Sequence, residues 1–325
     1  MNTTSGALRC QSIQENSTLF LRIMMIIEMI VGLPLNIIAL VIFCVGMKLW
    51  KPHTLFLFNL LLADLLVLIS IPFRFDTEFQ GDYWRFGEFW CNFNLFMLAV
   101  NRSASIAFMT VVALDRYFKV VHPHHRISRI TLTQSGWLAG LIWIAVVAFR
   151  IPLMTTKLLH KFSHQGQNFS WCRSFNSYSV IPLAIQVHYV AFIAEFILPW
   201  PLLLFCSARI AYFLHKRQLD GQKKVRKAMR VVWVISLVFT FCFMPSVVTG
   251  LAGVYIKKFY PEDCKLYNNT THLFMIFISF TYLTSALDPV IYCFSSTIFR
   301  DALKSCISHL GFKNNFRAAN SSDTS

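Results

Sequence analysis

Long apolar stretches dominate the chain, and short polar stretches separate them. Crossing a bilayer as an α-helix takes roughly 20 residues, and seven stretches are long enough. They cover approximately 20–47, 53–76, 92–121, 131–153, 182–215, 228–256 and 268–295. Backbone groups in lipid must be hydrogen-bonded within the protein, and uninterrupted runs favour helices over the alternating strands of a barrel. The pattern therefore predicts an all-α membrane protein, a bundle of seven transmembrane helices.

The polar segments divide the chain further. We predict an extracellular amino-terminal segment over 1–18, the seven-helix domain over 19–296 and a short cytoplasmic amphipathic helix over 297–310. The tail, 311–325, is rich in Asn, Ser and Ala and is predicted to be disordered. The first apolar run is long enough to span the membrane, so we expect an uncleaved anchor rather than a signal peptide.

Basic residues are concentrated in alternate loops, and cytoplasmic loops are the ones that retain Lys and Arg. The most basic loop follows the fifth span and contains Lys216, Arg217, Lys223, Lys224, Arg226, Lys227 and Arg230. The loops on the other side have fewer basic residues, which are mixed with acidic ones. This asymmetry predicts a multi-pass membrane protein with its amino terminus outside.

Composition agrees with a membrane protein. Hydrophobic residues make up 56% of the chain and charged residues only 14%, which excludes an ordinary soluble domain. The net charge is +15. Because the basic residues are spread over the loops rather than along one soluble face, we expect contact with anionic lipids and not with nucleic acid.

Glycosylation sequons and cysteines mark the same outer side. The sequons on that side begin at Asn2, Asn16, Asn168, Asn268 and Asn269. Four of the nine cysteines also lie there, namely Cys10, Cys91, Cys172 and Cys264. Four cysteines permit three pairings, among which spacing alone does not choose.

Ionisable side chains inside a membrane helix are costly and are therefore candidates for function. They are Glu28, Asp64, Arg102, Asp115, Arg116, Glu195 and Asp288. At about 100° and 1.5 Å per residue, Cys91, Arg102 and Arg116 share one stripe of the third helix, with Arg102 about 16 Å from Cys91 and about 21 Å from Arg116. Arg102 is thus predicted near the middle of the membrane.

A buried guanidinium can bind a carboxylate through two parallel hydrogen bonds. Arg102 is therefore a candidate for binding an acidic ligand. The alternative is an internal ion pair with Glu195 or Asp64. Glu195 itself has three open roles, which are to balance Arg102, to bind a donor on the ligand, or to be protonated in an apolar setting.

Other polar groups lie at the depth of Asp64. Together with Asn101, Ser105 and Asp288, it is predicted to bind a hydrated cation, an allosteric sodium ion, and we expect no other metal or cofactor. The His122-Pro-His-His125 cluster lies in a loop without acidic or thiol partners, so we interpret it as a solvated loop.

The order of short motifs resembles that of rhodopsin-like (class A) G-protein-coupled receptors. The motifs are Gly32-Leu-Pro-Leu-Asn36, Asn59-Leu-Leu-Leu-Ala-Asp64, Asp115-Arg116-Tyr117, Trp143, Pro199, Cys242-Phe243-Met244-Pro245 and Asp288-Pro289-Val290-Ile291-Tyr292. Within the class, further segments resemble the hydroxycarboxylic acid receptors and the related oxoeicosanoid receptors. These segments are Trp50-Lys-Pro, Leu57-Phe-Asn-Leu, Asn101-Arg102-Ser, 115–125, Phe205-Cys-Ser-Ala-Arg-Ile210 and Tyr292-Cys-Phe-Ser-Ser296.

The resemblance implies a receptor for an extracellular carboxylic acid rather than an enzyme. The carboxylate would bind Arg102, and Ser174, Phe175 and Tyr282 would cover and orient the acid. The resemblance also pairs Cys91 with Cys172 and Cys10 with Cys264. Cys306, beside the last amphipathic helix, is a predicted palmitoylation site.

Signalling is also implied by the resemblance. The expected partner is a heterotrimeric G protein of the inhibitory class, whose activation lowers cyclic AMP, with arrestin and receptor kinases as further partners. The residues assigned to coupling and activation are Asp115, Arg116, Tyr117, Phe243, Pro245, Asp288, Pro289 and Tyr292.

Two departures from the relatives concern the length of the ligand. Arg74, which a lactate-sensing relative shares, favours a small hydroxy acid, whereas Gly250 replaces a basic residue and leaves space for a longer chain. A small hydroxycarboxylic acid is our first hypothesis, and a long-chain oxygenated fatty acid is the alternative. A membrane transporter is less favoured, because the sequence shows no internal repeat.

Overall fold

The computed structural model describes residues 15–46, 50–81, 83–164, 167–172, 182–216, 223–260, 262–295 and 297–309. Seven of its helices are long and apolar enough to cross a membrane. The chain is therefore a seven-helix membrane bundle, as the apolar stretches predict.

The first helix, α1, is interrupted twice. It consists of α-helical Glu15–Ile27 and Leu33–Val41, with π-helical turns at Glu28–Gly32 and Ile42–Gly46. Pro34 is the second residue after the first π-helical turn and has no N–H to continue the α-helical hydrogen bonds. The interruption in that part of α1 thus has a local cause.

The remaining helices are longer and mostly regular. They are α2 (Pro52–Phe79), α3 (Gly87–Val121), α4 (Leu132–Arg150), α5 (Leu183–Ile197 and Pro199–Lys216), α6 (Lys223–Phe259), α7 (Cys264–Ser295) and α8 (Thr297–His309). Short helical turns at Arg126–Arg129 and Pro152–Thr155 follow α3 and α4. The break in α5 falls before Pro199, where a proline removes a backbone donor.

Local signals explain where several helices begin. Pro52 starts α2 directly after the extended residue Lys51, a position that suits proline because the first N–H of a helix has no partner. A capping box starts α4, in which the Thr131 side chain accepts from the backbone of Gln134 and Gln134 accepts from the backbone of Thr131. Gly87 begins α3 with φ of 82°, a conformation that favours glycine.

A two-stranded antiparallel sheet lies between α4 and α5 and was not predicted from the sequence. Its strands are β1 (Leu159–His164) and β2 (Gln167–Cys172). The backbone N–H of Trp84 donates to the carbonyl of Ser170 at 2.7 Å, and a disulfide joins Cys91 to Cys172. These contacts attach the sheet to the α2–α3 end of the bundle, which we call the disulfide end.

The third helix occupies the centre of the bundle. It packs against α2, α4, α5 and α6, while α7 packs against α6, α1 and α2 and so closes the ring. Helices in lipid associate through close packing and interhelical hydrogen bonds. Examples are Trp143 Nε1 donating to Asn59 Oδ1 at 2.8 Å and Asn94 Nδ2 donating to the carbonyl of Ser70 at 3.0 Å. Polar groups of α3 are therefore in reach of most other helices.

Candidate functional site

Arg102 is buried among aromatic rings near the middle of α3. Only 8% of the residue is exposed. Its guanidinium carbon lies 3.6 Å from the ring centroid of Phe192 in α5 and 5.4 Å from that of Phe243 in α6. Contacts with ring faces stabilise a cation without using its N–H groups. Arg102 therefore joins three helices while its donors remain available.

The second feature of Arg102 is the state of its hydrogen-bond donors. None of its side-chain nitrogens hydrogen-bonds to a residue in the part of the chain that the structure describes. Its contact with Glu195 is long, 4.0 Å from Nε to Oε2. A buried charge without close partners is costly, and the planar donor fork of arginine matches a carboxylate. The geometry suits an acid supplied by a ligand.

Glu195 makes its close contacts elsewhere. Its Oε1 forms an ion pair with Nη2 of Arg150 in α4 and lies within hydrogen-bonding distance of the Ser103 hydroxyl. Nε of Arg150 also donates to the Ser103 hydroxyl at 3.0 Å. The internal ion pair considered for Arg102 is therefore formed mainly by Arg150, a residue for which the sequence suggested no partner.

Arg150 is more deeply buried than Arg102, with 1% of the residue exposed. Its Nη1 lies 2.7 Å from Nδ1 of His188. Arg102, Arg150 and Glu195 together form what we call the positive cluster, with two guanidinium groups and one carboxylate. One positive charge thus remains unmatched by these three residues, and the geometry leaves it on Arg102.

Arg74 and Tyr282 lie together on another side of the bundle. Nη1 of Arg74 donates to the carbonyl of Cys172 at 3.1 Å, and its side chain is within hydrogen-bonding distance of Tyr282. Arg74 thus connects α2 to the sheet and to α7. Ser174 and Phe175, the other predicted ligand contacts, lie outside the described residues.

A cleft between α5, α6 and α7 adjoins Arg102. Its empty space is about 490 Å³, part of which is open to the surroundings. Its walls are Tyr189, Phe192, Ile193, Thr249, Gly250, Leu251, Gly253, Val254, Thr270, Thr271 and Phe274. A Cβ atom at Gly250 would lie 3.2 Å from Cε2 of Phe274 and 3.6 Å from Cε1 of Phe192, so a side chain there would contact two walls of the cleft. Phe192 lines the cleft and also contacts Arg102, so its ring lies between the cleft and the guanidinium.

Deeper in the bundle, three acidic side chains form what we call the carboxylate cluster, consisting of Glu28, Asp64 and Asp288. All three are fully buried. Asp64 and Asp288 lie near each other, and the Tyr292 hydroxyl donates to Oδ2 of Asp64 at 3.0 Å. The π-helical turn of α1 brings Glu28 beside the backbone of Ala286 in α7. The cluster therefore joins α1, α2 and α7.

The predicted sodium site overlaps this cluster. Asn101 donates to the carbonyl of Ala63 at 2.9 Å and lies 3.5 Å from the Ser105 hydroxyl. Neither oxygen of Asp288 accepts a hydrogen bond from the described residues. No group of three His, Cys, Asp or Glu side chains in the described ranges is arranged to hold a metal ion, so a cation would also need neutral oxygens. Such oxygen donors fit a hard cation.

Asp115, Arg116 and Tyr117 lie at the end of α3 away from the disulfide, which we call the Asp-Arg-Tyr end. Asp115 pairs with Lys119 at 2.6 Å. Arg116 donates from Nη2 to the Ser295 hydroxyl of α7 at 3.2 Å. The sequence motif is thus placed between α3 and α7.

The motifs of α6 and α7 connect the two ends of the bundle. Phe243 contacts Arg102 and packs 5.3 Å from Phe239, one helical turn away. Pro245 lies inside α6 and Pro289 inside α7. The ring of Tyr292 packs 5.5 Å from that of Phe299 in α8. Phe243 of α6 therefore lies beside Arg102, whereas Tyr292 of α7 lies beside α8.

The structure describes some of the residues predicted to form disulfides or to carry glycans or a palmitoyl group. The Cys91–Cys172 disulfide is confirmed, with a Cα–Cα distance of 5.6 Å. Cys264 is disulfide-bonded, and its predicted partner Cys10 lies outside the described residues, as does Asn2. The backbone of Asn16 lies in α1, that of Asn168 in β2 and that of Cys306 in α8. Asn268 and Asn269 lie at the start of the predicted span 268–295, and α7 begins slightly earlier, at Cys264, and includes both.

Similarity to known proteins defines the class. A family model described as the 7 transmembrane receptor (rhodopsin family) matches residues 35–292. The chain belongs to this family, and as a rhodopsin-like receptor it is a multi-pass protein of the plasma membrane with a heterotrimeric G protein and a small-molecule ligand as partners.

Similarity to individual receptors shows to which group within the rhodopsin family the chain belongs. The chain is 40% identical to hydroxycarboxylic acid receptor 2 of Homo sapiens over 274 residues, covering 84% of this chain and 73% of that receptor. It is 38% identical to oxoeicosanoid receptor 1 of Homo sapiens over 280 residues, covering 86% and 70%. It is 33% identical to the 12-(S)-hydroxy-5,8,10,14-eicosatetraenoic acid receptor of Mus musculus, covering 88% of each. The chain is a G-protein-coupled receptor of the hydroxycarboxylic acid and oxoeicosanoid receptor group, and not an enzyme.

Proposed function

We propose that this receptor is activated by a carboxylic acid that binds Arg102 from the disulfide end, which we assign to the extracellular side together with the amino terminus. The observation that carries the proposal is the buried guanidinium of Arg102, which makes no hydrogen bond within the described residues. A carboxylate would supply two charge-assisted hydrogen bonds to its fork. It would also neutralise the unmatched charge of the positive cluster.

Activation follows from the rings beside Arg102. A ligand changes a receptor's conformation only through different affinities for the two conformations. A carboxylate that draws the guanidinium towards itself weakens its contact with Phe243, which precedes Pro245 in α6. That part of α6 then moves relative to α3, and Arg116 at the Asp-Arg-Tyr end becomes accessible to an inhibitory G protein. Lower cyclic AMP is the resulting signal, with arrestin and receptor kinases ending it.

We also propose a sodium ion as an allosteric ligand of Asp64, Asn101, Ser105 and Asp288. Adjacent carboxylates repel each other unless a cation or a proton lies between them. Bound sodium would supply that positive charge. Both carboxylates are fully buried, and neither oxygen of Asp288 accepts a hydrogen bond from the described residues, which supports the proposal.

A small hydroxycarboxylic acid remains the first candidate, and a long-chain oxygenated fatty acid is the second. The cleft beside Phe192 favours the second, because it offers mostly apolar walls and is separated from Arg102 by the ring of Phe192. Arg74, which favours a small hydroxy acid, already donates to the carbonyl of Cys172. The length of the acid can therefore be tested separately from its head group.

The head-group test is Arg102→Ala, with lactate, 3-hydroxyoctanoate and 12-hydroxyeicosatetraenoate as probes and inhibition of cyclic AMP as the readout. Losing one partner of a buried charge pair costs about 2–5 kcal/mol, so we expect potency to fall at least about 30-fold. Arg85→Ala is the matched control, since Arg85 pairs with Asp76 at the surface. An unchanged response of Arg102→Ala at equal surface expression would refute the proposal.

The chain-length test is Gly250→Leu, which places a side chain in the cleft. Each methylene kept out of an apolar site costs about 0.8 kcal/mol, so displacement of a few should lower the potency of 12-hydroxyeicosatetraenoate about tenfold or more. Lactate should be unaffected. Gly140→Leu in α4 is the control, because a Cβ atom there meets nothing within 4 Å. Equal losses for both acids would exclude the cleft as the tail site.

A further inference from the structure

Arg150 is a buried cation in α4 that contributes neither to the carboxylate fork nor to the activation motifs. It nevertheless uses all three side-chain nitrogens, on Glu195 of α5, Ser103 of α3 and His188 of α5. Ser103 directly follows Arg102 in the chain. Arg150 is therefore held at the edge of the candidate ligand site by contacts from two other helices.

These contacts hold the carboxylate of Glu195 by one oxygen. Oε1 faces Arg150 and Ser103, whereas Oε2 makes no hydrogen bond with the described residues and lies 4.0 Å from Nε of Arg102. A hydrogen-bonded pair between arginine and a carboxylate requires about 2.7–2.9 Å. A small rotation of the Glu195 side chain would therefore close the pair with Arg102.

The positive cluster thus contains one acid and two bases that compete for it. In a low-dielectric interior, Coulomb attraction over a few ångströms is strong, so Glu195 will pair with whichever arginine remains. As long as Arg150 is present, the closer pair is with Arg150. Without Arg150, the acid has only Arg102 among these three residues.

We propose that Arg150 is a positioning residue for acid recognition: it holds Glu195 away from Arg102 and so keeps the guanidinium of Arg102 available to a ligand carboxylate. This inference rests on the proposed function of Arg102. Arg150 is not itself a contact of the ligand. It raises the affinity of Arg102 for a ligand carboxylate, because it keeps Glu195 from pairing with Arg102.

The test compares Arg150→Met with the double variant Arg150→Met/Glu195→Gln, using the same three acids and receptors matched for surface expression. In Arg150→Met, Glu195 closes on Arg102, and potency should fall about tenfold or more, the effect of one strong charge pair. The fall should be similar for all three acids, since they share the head group. In the double variant the competitor is neutral, and potency should return to within about threefold of the unmodified receptor.

The rescue separates positioning from a merely structural role. If Arg150 only supported the packing of α4, removing the charge of Glu195 as well would restore nothing. Arg150→Lys, which keeps the positive charge, should retain most of the potency. Failure of the double variant to recover, or unchanged potency of Arg150→Met, would overturn the inference.

A structure of ligand-free Arg150→Met provides a readout that does not depend on any acid. We expect a nitrogen of Arg102 and an oxygen of Glu195 at about 2.7–2.9 Å; a distance that stays at 4 Å or more overturns the inference. The two proposals fail differently. A full response of Arg102→Ala defeats the proposed function, whereas loss in Arg102→Ala together with full potency in Arg150→Met defeats only the role of Arg150.

Discussion

The two buried clusters of ionisable residues have opposite charge. The positive cluster contains its own acid, which matches one of two guanidinium groups. The carboxylate cluster has three acids, and the contacts described for it are with neutral groups such as the Tyr292 hydroxyl. The first cluster therefore leaves one positive charge for an anion, and the second requires a cation or protons.

The two clusters are neighbours in the bundle. Asn101 hydrogen-bonds to the carbonyl of Ala63, the residue before Asp64, whereas the next residue, Arg102, lies in the positive cluster. Buried charges persist in membrane helices only where a partner is available. The positive cluster and the proposed cation site are therefore adjacent along α3, since Asn101 and Arg102 are consecutive residues.

The largest expected effect comes from removing the only acid of the positive cluster. Glu195→Gln leaves two guanidinium groups buried without a counter-charge, which should destabilise the receptor by about 3–5 kcal/mol. The measurement is the thermal midpoint of the purified receptor in detergent.

The matched control is Arg150→Met/Glu195→Gln, which removes one charge of each sign. It should unfold near the temperature of the unmodified receptor, because replacing both partners of a buried pair is often nearly neutral. Equal midpoints for the single and the double variant would show that the net charge of the cluster does not limit stability.

The next largest effect concerns the carboxylate cluster. If sodium binds there, replacing choline chloride with sodium chloride at constant ionic strength should stabilise the receptor, by about 1.4 kcal/mol at about ten times the Kd. Asp64→Asn should abolish the difference. Asp76→Asn, the same change near the other end of α2, should retain it. A sodium effect that survives in Asp64→Asn would place the ion elsewhere.

The helices were predictable because lipid imposes a simple requirement on sequence. Each span must be long and apolar, and a single charge such as Arg102 is conspicuous within it. The sheet formed by β1 and β2 was not predictable in this way. It is attached by the Cys91–Cys172 disulfide and by Trp84, contacts between segments that are far apart in the chain.

The pairing of Glu195 was likewise not predictable. Arg102 and Glu195 are both visible as buried charges, but the choice between Arg102 and Arg150 depends on the rotation and depth of α4 relative to α5. No periodicity within one helix contains that information. The available signal was Arg150 itself, since an arginine near the end of an apolar span also needs a partner.

The smallest expected effect comes from a neutral interhelical contact. Its loss of stability is the reference against which the losses at the two charged clusters are compared. Trp143→Phe removes the 2.8 Å hydrogen bond from α4 to Asn59 of α2 and involves no charge. Interhelical hydrogen bonds between neutral groups in membranes contribute about 0.6 kcal/mol on average, several times less than the loss expected for Glu195→Gln. The same thermal midpoint measures both. If Trp143→Phe destabilised the receptor as strongly as Glu195→Gln, unmatched charge would not be what distinguishes the clusters from the ordinary polar contacts of the bundle.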